Sequence, residues 1–242
     1  IGFEIAKRFA REGADLYLAA RSMEDLQKAK DALAPFGTGV EIGTADVSEP
    51  DSIQRMVQAA KEALGTIDIL VNNAGITIIR PFLEYRWEEV DRVMKINFYG
   101  VFFACQAVLP DMKTRRCGKI INIASTAGKW ASVNQAAYNA SKHAVVGLTR
   151  CLAMEFGPYN INVNAVCPGF VETDLAAGFL RDKAAIDNIT EDQVRENILK
   201  TTPLKRFATS EQVAAMTAFL ASSEGDSITG QSYTICGGKV MV

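Results

Sequence analysis

Residues 119–142 read KIINIASTAGKWASVNQAAYNASK. The apolar run from Lys119 to Ala124 lacks the polar alternation of a half-exposed strand and predicts a strand covered on both faces, as in a parallel sheet. Ser125 ends that run, and in such sheets functional groups collect at the carboxyl ends of strands. A helix is predicted from Gln135 to Glu155, carrying Tyr138 and Lys142. Residues four apart share a helix face, which sets the Lys142 ammonium beside the Tyr138 phenol. A phenol with an ordinary pKa of about 10 exchanges protons poorly at neutral pH, and a fixed cation favours its phenolate. At roughly 5 Å and an effective dielectric of about 20, that attraction is about 3 kcal/mol, or about two pKa units. Tyr138 is therefore expected to donate and accept protons near pH 7, with the Ser125 hydroxyl bonded to the oxygen it protonates.

The same strand-then-helix pattern extends in both directions. Apolar residues at 1, 5, 6, 9 and 10 predict a helix stopped by Gly13, and Ala14 to Ala20 predicts a strand ending at Arg21-Ser22. A helix from Met23 to Ala34 behind the capping Ser22, a strand from Val40 to Ala45 ending at Asp46, and a helix from Pro50 to Leu64 behind Ser48 follow. Strand Ile67 to Val71 runs into Asn72-Asn73-Ala74-Gly75, and two helices fill Glu84 to Arg115. Strand Ile161 to Val166 runs into Cys167-Pro168-Gly169-Phe170. A charged, loosely periodic stretch from Thr173 to Phe207 precedes a helix, Gln212 to Ala221, and a last strand, Ser232 to Ile235. Strands alternating with helices predict an α/β fold with a doubly wound parallel sheet. Without repeats, linkers or low-complexity segments, residues 1–242 are expected to form one domain.

A chain of 242 residues suits one α/β domain, and a hydrophobic fraction of 48% supplies a full core. The net charge of -2 gives no general attraction to nucleic acid or anionic lipid, so small molecules and copies of the same chain are the expected partners. Cys105, Cys117, Cys151, Cys167 and Cys236 have no C-x-x-C spacing and, with His143, make no recognisable metal set. Free thiols in a reducing cytosol are expected. No uninterrupted apolar run approaches the ~20 residues of a membrane span. With no signal peptide visible, a cytoplasmic location is the expectation.

Asn72-Asn73-Ala74-Gly75, Asn97, Ser125, Tyr138-x-x-x-Lys142 and Pro168-Gly169 match in order and spacing the signatures of the short-chain dehydrogenase/reductase family. From Gly2 to Gly238 the chain resembles that family, in its 3-oxoacyl reductase-like branch. A lone Y-x-x-x-K arises often by chance, whereas a full set in register does not. The resemblance implies a Rossmann fold and hydride transfer between a nicotinamide cofactor and a carbonyl or secondary alcohol. It implies Tyr138 as general acid and base, Ser125 orienting the substrate oxygen, and Lys142 also holding the nicotinamide ribose. Asn97 would anchor a water that relays protons from Lys142. On the cofactor side the resemblance implies Gly2, Asn73, Ala74 and Gly75, and Asp46 with Val47 at the adenine. Pro168, Gly169, Val171 and Thr173 would lie near the nicotinamide carboxamide. Asp46 reads alternatively as a cap for the segment at Ser48, Thr173 as the cap of the next helix, and Asn97 as a helix-break residue. Of the family's T-G-x-x-x-G-x-G turn only the last glycine is present, as Gly2. The resemblance implies that the first strand and the rest of that turn are missing, about 15 to 20 residues.

In dinucleotide folds an acidic residue about twenty positions past the glycines selects NAD, and a basic one accommodates the 2'-phosphate of NADP. The window Leu18 to Ser22 holds no carboxylate, while Arg21 offers a planar fork of donors and Ser22 a hydroxyl. NADP is favoured, with NAD the alternative. Residues 173–207 resemble the family's variable substrate loop, a flap over cofactor and substrate. Ile78, Trp130, Val133, Phe170 and Phe179 are expected to line an apolar pocket, which leans towards an aliphatic or alicyclic ketone or alcohol. The choice among a 3-oxoacyl thioester, a small hydroxy acid, a polyol and a ring ketone stays open. The helices Asp91 to Arg115 and Gln135 to Glu155 carry further apolar residues: Phe98, Val101, Phe102, Cys105, Val108, Val145, Leu148 and Leu152. The resemblance points to them as a four-helix contact in a homotetramer. The rival reading is a non-catalytic dinucleotide-binding sensor or scaffold, which would have no use for an activated phenol.

Overall fold

The computed structural model describes residues 1–242. Its six strands are β1 (Leu16–Ala20), β2 (Val40–Thr44), β3 (Ile69–Asn72), β4 (Gly118–Ile123), β5 (Ile161–Pro168) and β6 (Ser232–Ile235). Nine helices alternate with them: α1 (Gly2–Arg11), α2 (Met23–Leu33), α3 (Pro50–Leu64), α4 (Trp87–Met94), α5 (Gly100–Arg115), α6 (Ala136–Phe156), α7 (Asp174–Asp187), α8 (Glu191–Lys200) and α9 (Ser210–Ala221). All pairings are parallel and fall into two ladders, β2-β1 and β3-β4-β5-β6.

The period-2 alternation of β4 and β5 explains why helices cover both faces. Ile121, Ile123 and Val166 join Ile5 and Phe9 of α1 and Val213 and Leu220 of α9 in one buried cluster, which also takes in Leu16 and Val40 and so spans both ladders. The alternate residues, Ile120, Val163 and Cys167, join Val108 and Met112 of α5 and Val145 of α6 in the opposite cluster. Burying such an aliphatic side chain contributes about 1.5–3 kcal/mol, so packing on the sheet, more than helix propensity, holds α5, α6 and α9. β3 is half-buried along its length, at the end of its ladder.

Three expectations are corrected. Glu84 to Arg115 does not form two separate helices: α4 runs into α5 through a π turn, Lys95–Tyr99, in which the Gly100 N–H reaches back to the Lys95 carbonyl. The continuous rod Trp87–Arg115 is long and apolar enough to cross a membrane, yet Val93, Val101, Ala104, Val108 and Met112 on it are buried within the domain, as in a core helix. Residues 173–207, read as loosely periodic, hold two regular helices, α7 and α8, closed on Leu180, Ala184 and Val194. The expected intersubunit face is also mostly core: Val101, Cys105, Val108 and Val145 point inward. Tyr99, Phe102 and Met154 are the large apolar residues that α6 and the π turn with α5 leave exposed.

Gly128 sits where α6 crosses the turn after β4, and an added Cβ there would meet the Lys142 carbonyl oxygen at 2.6 Å. Gly128→Ala should cost about 1–3 kcal/mol by forcing helix and turn apart. Urea unfolding would show a lowered midpoint, and an unchanged one would contradict this packing.

Candidate active site

Polar side chains buried in the core fix the helix that carries Tyr138. The Asn72 amide donates to Asn122 Oδ1 at 2.9 Å, and Asn122 Nδ2 donates to Thr149 Oγ1 at 3.0 Å. Thr149 in turn donates to the Val145 carbonyl of its own helix at 2.8 Å. Such groups cost several kcal/mol each by rough estimate if left unpaired in a core. Their mutual satisfaction locks β3, β4 and α6 together. A second brace starts at Asn97, wholly buried in the π turn: its Oδ1 accepts the Ile76 N–H at 2.8 Å and its Nδ2 donates to the Ile76 carbonyl at 2.9 Å. The same Nδ2 donates to Ser141 Oγ at 3.0 Å, and Ser141 donates to the Tyr138 carbonyl at 2.8 Å. Asn72 and Asn97 stand out in the sequence, whereas Asn122, Ser141 and Thr149 went unnoticed. Asn122 was detectable as the one amide inside the apolar run Lys119–Ala124.

Lys142 is 4% exposed, and its Nζ donates to the Ile123 carbonyl at the end of β4, at 3.0 Å. It lies 5.8 Å from the centre of the Tyr138 ring. An added Cβ on Gly75 would lie 3.5 Å from that Nζ and 3.4 Å from Asn97 Oδ1, so the glycine keeps the space beside the ammonium clear. Burial lowers the Lys142 pKa to about 8. Burial likewise raises that of Tyr138, a hydrogen bond from the Ser125 hydroxyl pulls it down, and the neighbouring Cys167 adds to the rise. The net direction differs from the expectation based on i,i+4 spacing: desolvation dominates, and the resting phenol is protonated at neutral pH. Cys167, pushed up to about 11 by burial, is a neutral thiol. Ser125 also accepts the Ala127 N–H at 3.1 Å.

The cofactor-side candidates gather at the carboxyl ends of the strands, several with a second, local duty. Gly2 faces Asn73, whose Nδ2 would lie 2.6 Å from an added Cβ, and Val47 packs on Gly100. Asn73 and Ala74 are exposed beyond β3. Asp46 Oδ1 accepts both the Ser48 hydroxyl at 2.6 Å and the Ser48 N–H at 2.9 Å, which hold its pKa down with lesser help from Arg21 and Arg92. The capping reading of Asp46 is thus realised, while Oδ2 stays outside that turn. Ser22 accepts the Asp25 N–H at 3.2 Å as the cap of α2, beside an exposed Arg21. Thr173 caps α7 through the Ala176 N–H at 3.3 Å and donates to the carbonyl of the buried Val171 at 3.3 Å. Pro168 ends β5, and Gly169 packs against Cys236, 2.8 Å from its Cβ if a side chain were added. A buried ammonium with one protein acceptor for its three N–H groups, a glycine clearing beside it and an exposed guanidinium suit the hydroxyls and phosphates of a nicotinamide dinucleotide.

The five expected pocket residues fall in three places. Ile78 and Val133 lie on the loops after β3 and β4. Phe170 and Phe179 meet edge-on at 6.1 Å and pack on the α7–α8 cluster, so they are partly spent as core. Trp130 is exposed and lines a groove of about 470 Å³ with Lys129, Ser132, Asn139 and His143. That groove is on the α6 face one residue, about 100°, away from Tyr138 and Lys142, so it is not the reaction pocket.

Similarity to known proteins accords with this geometry. The family described as enoyl-(acyl carrier protein) reductase matches residues 1–239. D-beta-hydroxybutyrate dehydrogenase of Rhizobium meliloti (strain 1021) is 36% identical over 241 residues, covering 98% of this chain and 93% of that protein. A phenylalanine-to-tryptophan variant of actinorhodin polyketide ketoreductase with NADPH superposes with a TM-score of 0.94 at 37% identity, over 98% of this chain and 92% of that one. NAD+-bound xylitol dehydrogenase does so with a TM-score of 0.92 at 30% identity, over 98% and 94%. With its Rossmann-type parallel sheet and these relatives, the chain belongs to the short-chain dehydrogenase/reductase family, oxidoreductases acting on alcohol and ketone groups.

Proposed function

We propose that this protein transfers hydride between NADP(H) and a ketone or secondary alcohol, with Tyr138 as the proton donor in reduction and the acceptor in oxidation. The observation that carries the reading is the half-buried Tyr138 phenol on α6, with the buried Lys142 one turn later and 5.8 Å from its ring, beside Ser125 at the end of β4. The nicotinamide, when bound, supplies or takes up the hydride. Ser125 orients the substrate oxygen, and Tyr138 gives that oxygen its proton. Lys142 would hold the ribose hydroxyls with its remaining N–H donors, and its lowered pKa suits it to return a proton to the phenolate. The Asn97 side chain is engaged with Ile76 and Ser141, which places it next to Lys142 for the water relay that the family resemblance implies. A binding-only sensor would gain nothing from burying this set.

NADP is favoured because Arg21 is exposed and bears no ion pair, with no carboxylate in its turn. An NADPH-bound ketoreductase and an NAD+-bound dehydrogenase both stand among the structural neighbours. The names of the ketoreductase and hydroxybutyrate dehydrogenase relatives support a keto or hydroxy acid-type substrate, and that of xylitol dehydrogenase supports a polyol. A homotetramer in the cytoplasm, formed through the exposed Tyr99, Phe102 and Met154, completes the reading.

Tyr138→Phe should lower kcat by about 10²–10⁴ while leaving the circular dichroism spectrum unchanged. Turnover at the wild-type rate would support the sensor instead. Arg21→Ala should raise the KM for NADPH by about 10-fold or more, the scale of one charged hydrogen bond, and leave that for NADH unchanged; equal losses with both cofactors would defeat the NADP preference. For ketone reduction, kcat/KM should be flat from pH 6 upward and fall as Lys142 loses its proton near pH 8. Alcohol oxidation should instead rise with pH, because the raised Tyr138 must first release its proton. Reduction that accelerates with pH would contradict both assignments.

A further inference from the structure

We infer that Tyr85 is a positioning residue that ties together the two loops at the substrate mouth, the second of which leads directly into the helix bearing Tyr138; the inference rests on the dehydrogenase reading. The loops in question, residues 76–86 and 126–135, leave the site at Gly75 and Ser125 and carry Ile78 and Val133. The Arg80 N–H donates to the Asn134 carbonyl at 2.8 Å, and Gln135 Nε2 reaches Thr77 Oγ1 at 3.4 Å. The Tyr85 hydroxyl donates to the Ile78 carbonyl at 2.8 Å, with the Asn134 carbonyl 3.3 Å away. Its one proton therefore holds both loops at once.

The second loop leads straight into α6. Its N-cap residue, Gln135, makes no side-chain capping bond, so the entry of the helix is held through the loop before it. Tyr85 holds Asn134, the residue that precedes that N-cap, from outside its own chain segment. The loop bearing Tyr85 is itself clamped. Glu89, 7% exposed, accepts the Arg86 N–H at 3.0 Å, Arg80 Nη2 at 2.6 Å and Arg86 Nη2 at 3.3 Å. Asn134, at φ +63°, turns its carbonyl into this group from a left-handed backbone.

Tyr85→Phe removes the hydroxyl and keeps the ring. With NADPH and ethyl acetoacetate as probe, the variant should show a KM for the ketone raised about 10-fold, the scale of one lost buried hydrogen bond, with kcat and the Kd for NADPH little changed. In the protein without substrate, amides 134–139 should exchange with deuterium about 10-fold faster, with those of β4 and β5 unchanged. Glu89→Gln should move KM and exchange in the same direction without touching Tyr85. Wild-type exchange at 134–139 in Tyr85→Phe, or equal loss of kcat and NADPH affinity, would overturn the inference. A wild type that reduces no ketone, with exchange accelerated in the variant, would defeat the dehydrogenase reading and uphold the tie.

Discussion

Everything at the candidate site answers to one demand, that an ammonium buried to 4% exposure be accommodated. Burying a charge is costly unless it is paired or loses its proton. Lys142 has no carboxylate partner in the structure, only the last carbonyl of β4, and its pKa falls to about 8. The linkage has a definite sign. The folded state holds that proton less tightly than the unfolded chain, so this residue's burden is largest below about pH 8 and lifts as pH rises towards its ordinary value. The fold bears the cost through braces that recruit no charge: Asn97 to Ile76 and Ser141, Asn72 to Asn122 to Thr149, and Gly128 against the Lys142 backbone. Donors left over on the ammonium are what make the site receptive to a hydroxyl-rich ligand.

The two sides of the site are built differently. On the cofactor side, strand ends and helix caps supply fixed groups, several of which serve the local fold as well: Asp46 holds Ser48, Ser22 caps α2 and Thr173 caps α7. On the substrate side, two loops are joined by backbone carbonyls and one phenol. The first arrangement resists change because each residue is tied into a secondary-structure terminus. The second can vary in its apolar residues, such as Ile78 and Val133, while its polar latch stays in place.

Much of this was legible in the sequence where period and punctuation are strong. Pro50–Leu64 and Ser232–Ile235 lie where their patterns place them, and the helix expected to carry Tyr138 and Lys142 is α6. Less could be read where depth, not spacing, decides. The i,i+4 relation puts the cation near the phenol but says nothing of how much water both have lost, so the direction of the Tyr138 shift was misjudged. The π turn at Lys95–Tyr99 has no composition signal, since it widens a helix by one residue without a proline or a charge break. Residues 173–207 looked loose because the apolar stripes of α7 and α8 are narrow and close on each other instead of on the sheet. Phe170 and Phe179 were candidates for a pocket by residue type alone, and packing with that helix pair takes up part of their surface.

The central claim is that the site rests with Tyr138 protonated, as an acid ready for a carbonyl oxygen. The most direct measurement is an NMR titration of tyrosine labelled with carbon-13 at Cζ, with the Tyr138 resonance identified by its loss in Tyr138→Phe. The account predicts no ionisation of that resonance below pH 10, the ordinary value from which burial raises it. A Tyr138 midpoint at or below pH 8 would contradict it, and would restore the cation-activated phenolate as the resting state.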